Sequence, residues 1–501
     1  MRPAPLRSPE ELRSDPYIRA ISELAARTGT GPLYLVGGYL RDRLLSLAST
    51  RQIDLDLVMW GELAPFGRAL AEALHGTLVP LDPETIRVFA RPDATVVRID
   101  ISRPKGKTIE ADLAARDFTV NAIASRIDSD LRNARMAIID PSGGLDDLRR
   151  GCLRAVTPSA FDLDPLRLIR AVRLAAQLDF TIDEATRLAI TERAALLAEA
   201  TGERVRDELF KILGTTRATP SIQSLDALGV LQVLVPEIEA IKSVPASPPH
   251  RLSLWDHSLE TIRSVELLLT GLGRLFPDDA LWLKEELQGE IETGVTQASI
   301  LKLVGLLHDL GKPQTRTVQP DGRVRFLGHE EAGLPMLARL CERLRLGRKA
   351  STLAQQIMRH HLRPLHLSRE ASVTPRATYR LFRELGDAAP AVLLHSWADL
   401  RATIGDSDQE FSRHEQCLRE VFRFHQREFL PSKISPVLRG NDLMEVFSLA
   451  PGPFLGLVLD RLREAQATGL VRSRQEGLAY IRQHLAAWQE SFQQPDSSGR
   501  P

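Results

Sequence analysis

Two carboxylates, Asp54 and Asp56, alternate along a short apolar run, IDLDLV (53–58). Upstream, LYLVGGYLRDRLL (33–45) carries a glycine pair, Gly37-Gly38, and an Arg-Asp pair, Arg41-Asp42. Residues two apart on a strand point to one face. Two carboxylates on one face beside a glycine turn suit the holding of Mg²⁺ against a nucleoside triphosphate. Phosphoryl transfer needs cations to neutralise developing charge, and glycine lets backbone approach phosphates. A lone DxD is most often a solvated strand edge. Here the glycine pair closes an apolar run, and one helix fits between it and the carboxylates. Further on, Asp100 in VVRIDI (96–101) offers either a third carboxylate or an ordinary strand-edge Asp. In IEADLAARDFTVNAIA (109–124), Arg116 and Asp117 precede Phe118 at an expected helix start, and Asn121 lies one turn on. An Arg-Asp-Asn set on one face can grip a ribose and a triphosphate.

A second constellation follows in WDHSLET, GLLHDLGKP, LGHEEAG, MRHHLRP and HSWADLRA. It supplies His257, the pair His308-Asp309, His329, His360, His361 and Asp399, separated by long helical spans. Imidazole with carboxylate suits a divalent transition metal, or Mg²⁺ where carboxylate dominates.

The elements that must position these groups read from the pattern. Ser8 offers an N-cap with Pro9 at the first helical position, predicting a helix over the lead-in SPEELRSDPYIRAISELAA. LYLV, IDLDLV, TLVPL, RVFA and VVRIDI predict strands. From Leu145 on, apolar residues recur every three or four positions and helices take over. Breaks fall at PASPPH (245–250) and FLPSKISPVL (429–438), and the tail after Gln493 is polar. The expected architecture is an α+β head with a small mixed sheet (1–144), an all-α neck and body binding nucleotide and RNA (145–247), an all-α metal-binding domain (248–405) and a helical tail region (406–501).

Composition narrows the class. The 501 residues are 43% hydrophobic and 26% charged, with 65 basic and 65 acidic side chains, so nucleic acid would have to be met by local patches. Three cysteines, Cys152, Cys341 and Cys417, form no CxxC and point to a reducing cytosol. No run reaches the length of a membrane span and the N-terminus lacks an apolar signal core. The expectation is a cytoplasmic protein without membrane partners.

In order, GGYLRD with IDLDLV, ARDFTVNAIA, DPSGGLDDL, DPLRLIRAVRLAAQLDF and ERVRDEL resemble the motifs of class II nucleotidyltransferases, the bacterial tRNA CCA-adding enzymes and related poly(A) polymerases. The likeness spans about Leu33 to Glu237, and LRGNDLMEVFSLAPGPFLGLVLDRL (438–462) resembles the tail of that family. It implies that Asp54 and Asp56 bind catalytic Mg²⁺; Asp100, read from its own apolar run, is the third catalytic candidate. It further implies that Gly37, Gly38, Arg41 and Asp42 cradle the triphosphate and that Arg116 and Asp117 contact the incoming nucleotide. Asp164 and Arg167 fall where the family reads the base, and Arg170 and Arg173 continue that helix, facing phosphate or forming a solvated basic face. Glu203 and Arg204 match a structural motif.

Three departures stand out. Leu163 replaces the usual Glu before Asp164, Ala115 replaces the usual Arg before Arg116, and the stretch between Asp100 and Arg116 is short. A short stretch there resembles enzymes that add only the two cytidines.

HDLGKP, with its flanking histidines and aspartate, resembles the HD superfamily of metal-dependent phosphohydrolases. That implies His257, His308, Asp309 and Asp399 as core ligands of a divalent metal of unassigned identity. His329, His360 and His361 would serve a second metal or phosphate, and Lys312 a substrate phosphate. The expected function is template-independent addition of C and/or A from CTP and ATP to tRNA 3′ ends, with the HD domain acting as phosphatase or 2′,3′-cyclic phosphodiesterase. Alternatives are a CC-only or A-only adding enzyme, a poly(A) polymerase, or an HD nucleotide phosphohydrolase whose inactive head binds RNA.

Overall fold

The computed structural model describes residues 6–47, 52–91, 95–127, 137–247, 251–370, 373–430 and 436–493. The chain forms two compact units, Met1–Ile212 with Pro220–Pro236, and Leu213–Thr219 with Glu237–Pro501.

The first unit is built on a mixed sheet of β1 (Leu33–Val36), β2 (Gln52–Met59), β3 (Thr77–Asp82), β4 (Thr85–Ala90), β5 (Val96–Ser102), β6 (Ala124–Arg126) and β7 (Ile138–Ile139). Their order is β3-β4-β5-β2-β1-β6-β7, with β2 and β5 parallel and the other pairs antiparallel. Alternation fixes the two faces. Ile53, Leu55 and Leu57 of β2, Val97, Ile99 and Ile101 of β5, and Ile86 and Val88 of β4 are buried on one of them. Each such side chain contributes about 1.5–3 kcal/mol when fully removed from water. The helix Leu63–Ala73 covers β3, β4 and β5 on this face. It approaches so closely that a Cβ on Gly67 would stand 2.4 Å from Ile86 Cδ1. The intervening positions, Asp54, Asp56, Arg98, Asp100, Arg87 and Phe89, share the opposite face.

The lead-in departs from expectation. A 3₁₀ turn occupies Pro9–Ser14 and the α-helix runs over Pro16–Thr28, capped by the Asp15 carboxylate, which accepts from Tyr17 N and Ile18 N. Pro16 is the reason, since its ring disfavours helical geometry at Asp15 and a single helix from Pro9 cannot pass through. The mostly helical remainder of this unit includes Arg167–Leu178 and Gly202–Leu213.

The second unit is almost entirely helical. Its core helix Leu254–Leu275 packs against both Gln297–Leu307 and Ala389–Ile404, while Arg348–His360 packs against His329–Arg343. Toward the C-terminus, Leu438, Leu443, Leu455, Val458, Leu462 and Ile481 form a separate small core. The three cysteines are free. Among the described residues, no helix is long and apolar enough to cross a membrane.

Candidate functional site

Strand register puts the carboxylates together. Asp56 on β2 lies directly opposite Asp100 on β5, and Asp100 opposite Arg87 on β4. The neighbouring row reads Asp54, Arg98, Phe89. Both oxygens of Asp100 accept from Arg87, Oδ1 from Nε at 2.6 Å and Oδ2 from Nη2 at 2.7 Å. Arg98 Nη1 stands 3.9 Å from Asp54 Oδ1. Burial pushes the Asp56 carboxyl up to about 6; Arg116 opposes this, and the negative charges of Asp100, Asp54 and Asp117 add to it. Three carboxylates with oxygen donors only are the donor set of a hard divalent cation, so the residues fit the group that the motif implies.

Gly37 ends β1 in a left-handed conformation, φ 76°. A Cβ there would stand 2.9 Å from Asp56 Oδ2 and 3.3 Å from Arg116 Nη1. Gly37→Ala is therefore expected to push Asp56 out of line, cutting turnover more than tenfold while costing about 1–2 kcal/mol of backbone strain. Steady-state kinetics beside thermal melting checks this.

From that turn a network runs inward. Arg41 is bonded to Asp42 and donates from Nη1 to Asn121 Oδ1 at 2.6 Å. Asn121 Nδ2 donates to Asp117 Oδ1 at 3.1 Å, and Arg170 Nη1 lies 3.4 Å from Asp117 Oδ2. Burial pushes the Asp117 carboxyl up, but Arg170, Asn121, the Phe118 N–H and Arg167 outweigh it and hold the group below its ordinary value. A cleft of about 490 Å³ opens beside this network, lined by Asp56, Asp100, Arg103, Lys105, Arg116, Asp117, Arg167 and Arg170 among others. The segment after Asp100 forms one wall. Its helix Ile109–Ala114 is pinned by the buried Asp112, which accepts from Lys105 N and from Arg116.

The base-reading candidates are placed differently from one another. Arg167 donates to the backbone carbonyls of Ala115, Arg116 and Ala160, so it braces the cleft through the main chain. Asp164 accepts from Arg204 at 3.1 Å. Arg173 is bound to Glu208 at 2.6 Å and to Gln177, so its charge is satisfied within the helical body.

In the second unit six side chains converge. His257 comes from the first turn of Leu254–Leu275, His308 caps Gln297–Leu307, and Asp309 follows it. His329 opens its helix, His361 closes Arg348–His360, and Asp399 projects from Ala389–Ile404. All are buried. His257 Nε2 is 3.0 Å from Asp399 Oδ1, His308 Nε2 is 3.2 Å from Asp309 Oδ2, and His329 Nε2 is 3.3 Å from Asp309 Oδ1. His308, His329 and His361 each turn Nδ1 to a backbone carbonyl, of Gly305, Phe326 and Met358. That favours the Nδ1–H tautomer and aims Nε2 at the cluster, the orientation a metal ligand needs.

Burial pulls His308 down, but Asp309 and Asp399 overcome it and raise the group to about 10. Burial, reinforced by His308, pushes His361 down to about 3. Both Asp309 oxygens are buried and are met only by side chains of this cluster, His257, His308 and Lys312 at Oδ2 and His329 at Oδ1, among the described residues. Together with the imidazole–carboxylate mixture, this fits a divalent metal. Lys312 Nζ lies 2.7 Å from Asp309 Oδ2.

The structure gathers all but one of the histidines proposed from sequence. His360 faces Glu384 at 4.0 Å, because consecutive helical residues point about 100° apart and His361 takes the inward direction. Sequence reading missed His395, which is fully buried with neither ring nitrogen hydrogen-bonded among the described residues. Its ring centroid lies 5.0 Å from that of His308 and 5.9 Å from that of His361. The signal was present in HSWAD, where His395 and Asp399 stand one turn apart. Arg87 and Arg98 were also missed.

Comparison with known proteins agrees with this geometry. Residues 33–154 match the poly A polymerase head domain, 179–242 a probable RNA and SrmB-binding site of polymerase A, and 254–388 the HD domain. The chain is 34% identical to an A-adding tRNA nucleotidyltransferase of Deinococcus radiodurans, over 89% of this chain and 94% of that one. It is 32% identical to a CC-adding tRNA nucleotidyltransferase of Geobacter sulfurreducens, over 93% and 95%. Its fold matches a CCA-adding enzyme solved with CTP, with a TM-score of 0.65 at 23% identity over 96% of this chain and 99% of that one. It also matches the Thermotoga maritima CCA-adding enzyme complexed with tRNA, with a TM-score of 0.62 at 23% identity over 96% and 100%. With a carboxylate face on a poly A polymerase head and a buried histidine–aspartate cluster in an HD domain, the chain belongs to the tRNA nucleotidyltransferase family.

Proposed function

We propose that this protein is a template-independent tRNA 3′-terminal nucleotidyltransferase that joins C and/or A from CTP and ATP to tRNA ends, working in the cytoplasm. The observation that carries the reading is the row of Asp56 and Asp100, with Asp54 beside it, on one sheet face at the mouth of an arginine-rich cleft. Asp54, Asp56 and Asp100 would hold Mg²⁺, and the HD cluster a divalent metal whose identity the donor set leaves open. A divalent cation bound at either site neutralises phosphate charge as a Lewis acid.

The chain's own groups do the rest. Gly37 and Gly38 let backbone approach the triphosphate, Arg41 and Arg116 supply charge to it, and Asp117, held ionised, is placed to accept from a ribose hydroxyl. Asp164, steadied by Arg204, and the helix braced by Arg167 present the base-selecting edge. Residues 1–144 would then act as catalytic head, 145–247 as nucleotide- and RNA-binding neck, 248–405 as phosphohydrolase and 406–501 as tail. In the HD cluster, His257, His308, Asp309 and Asp399 are the core ligands. His329 and His361 extend the set, and Lys312 holds Asp309. The reaction assigned there is hydrolysis of a terminal phosphate or 2′,3′-cyclic phosphate, which would restore the 3′-hydroxyl that the head extends.

A second reading, addition of only part of the CCA sequence, is favoured by the segment between Asp100 and Arg116, which is short and held down by Asp112. The test is purified protein with Mg²⁺, given CTP alone, ATP alone or both, on tRNAs ending before CCA, after C and after CC. Extension by CTP and then ATP supports full CCA addition, and incorporation stopping at CC or starting only at A supports the restricted reading. No incorporation on any end would sink both.

A further inference from the structure

Three acidic groups on one sheet face repel one another, and the face carries its own answer to that cost. Arg87 closes a two-pronged bond on Asp100, with Nε to Oδ1 at 2.6 Å and Nη2 to Oδ2 at 2.7 Å. The pair is only about 28% and 29% exposed, so it is shielded better than a surface ion pair. The register sets the two side by side, because Arg87 is the direct cross-strand partner of Asp100, which is in turn the direct partner of Asp56. The guanidinium carbon of Arg87 also lies 5.7 Å from the Phe89 ring centroid, and that of Arg98 lies 5.9 Å from the same ring. The aromatic side chain thus stands beside both guanidinium groups, within cation–π reach of each. The fork takes one lone pair of each Asp100 oxygen and turns the carboxylate toward Arg87, while Asp56 and Asp100 both line the cleft.

We propose that Arg87 is a positioning residue that occupies Asp100 while the carboxylate face is empty and competes with the divalent cation for it. Loading of the face therefore requires one Asp100 oxygen to be surrendered by Arg87. This rests on the assignment of Asp54, Asp56 and Asp100 as the cation-binding face. The competition keeps free cation weakly bound in the absence of nucleotide and aligns Asp100 with Asp56 before the cation arrives. Arg87 acts through Asp100 and touches no reacting atom.

The test is a double-mutant cycle on the full-length protein, with Mn²⁺ alone as the probe and electron paramagnetic resonance titration as the readout, so that no turnover is needed. Binding at the face is defined as the part lost in the Asp54→Asn/Asp56→Asn double variant, which leaves any Mn²⁺ at the HD cluster as a constant background. Arg87→Ala is expected to tighten that binding about tenfold, Arg87→Lys to tighten it less, and Asp100→Asn to weaken it. In the Asp100→Asn background, Arg87→Ala is expected to add little. An equal tightening with and without the Asp100 carboxylate would show that Arg87 acts only as a distant charge and would overturn the proposal, as would unchanged or weaker binding in Arg87→Ala. Circular dichroism and melting of each variant exclude unfolding, and Arg87→Lys supplies the second reading should Arg87→Ala fold poorly. If the Asp54/Asp56 double variant binds Mn²⁺ like the native chain, the cation-face assignment itself has failed, a result distinct from a failure of the Arg87 cycle.

Discussion

Asp56→Asn is expected to abolish nucleotide transfer and, in the same molecule, to stabilise the metal-free protein. The loss of activity follows from position. Asp56 stands in the centre of the carboxylate face, between Gly37 and Asp100, and is the acidic group nearest the turn that would hold the triphosphate. Removing a group that organises transition-state charge in a preorganised site costs on the order of 10²–10³ in rate, and loss of a cation ligand belongs at the upper end or beyond. The stabilisation follows from the Asp56 carboxyl, raised from an ordinary 3.8 to about 6 mainly by burial, with the other carboxylates adding.

A carboxyl whose folded value lies above its unfolded value binds its proton more tightly when folded. Folding is therefore penalised at pH above about 6, and the penalty fades as pH falls toward 4. Two pH units correspond to roughly 3 kcal/mol at neutral pH. Denaturant melts of the unit that carries Asp56, in chelator, should show Asp56→Asn more stable than the native chain at pH 7.5 and the difference nearly gone at pH 4. An inactive variant with no stability gain at neutral pH would mean that Asp56 is not held as a strained, buried carboxylate.

That strain was only partly legible in the sequence. The period-two alternation of IDLDLV and VVRIDI is a local property, so the face on which Asp54, Asp56 and Asp100 sit could be read from each strand alone. Which residue stands beside which could not. The row Asp56–Asp100–Arg87 depends on the parallel register of β2 with β5 and the antiparallel register of β4 with β5. β2 and β5 are far apart in sequence, β4 and β5 are near neighbours, and both registers are set by the burial of Leu57, Ile99 and Val88 on the other face. Arg87 and Arg98 therefore looked like ordinary strand arginines.

The same limit separates His360 from His361. Adjacent positions in MRHHLRP are equivalent as letters, and only the phase of the helix Arg348–His360 against its neighbours selects His361. His395 differs, because its one-turn spacing from Asp399 is local and a helical reading of HSWADLRA contains it. The opening helix shows the reverse case. Ser8-Pro9 is a sound start signal, and Asp15-Pro16 is a stronger one that adds a conformational prohibition to a cap.

Asp309→Asn should separate the two activities proposed for the chain. Asp309 is the hub of the second cluster, meeting His257, His308 and Lys312 through one oxygen and His329 through the other. Together with Asp399 it also raises His308 above its ordinary value, against burial, which pulls that group the opposite way. Asparagine keeps the shape but halves the oxygen donors and removes the charge, so divalent metal should no longer be held. Metal-dependent hydrolysis of phosphate or cyclic phosphate ends is expected to fall by about 10³-fold or more, while incorporation of CTP and ATP into a tRNA already ending in a 3′-hydroxyl stays within about twofold. Asp309→Ala carries a further cost, because it leaves Lys312 as a buried cation without its carboxylate, and breaking a buried pair in this way destabilises by about 3–5 kcal/mol. The asparagine variant is thus the cleaner probe, and the alanine variant should melt earlier. On a tRNA ending in a 2′,3′-cyclic phosphate the two activities become coupled: the native chain should hydrolyse the end and then extend it, and Asp309→Asn should do neither. Equal extension of that blocked end by native and variant proteins would show that the buried cluster does not prepare the substrate of the head.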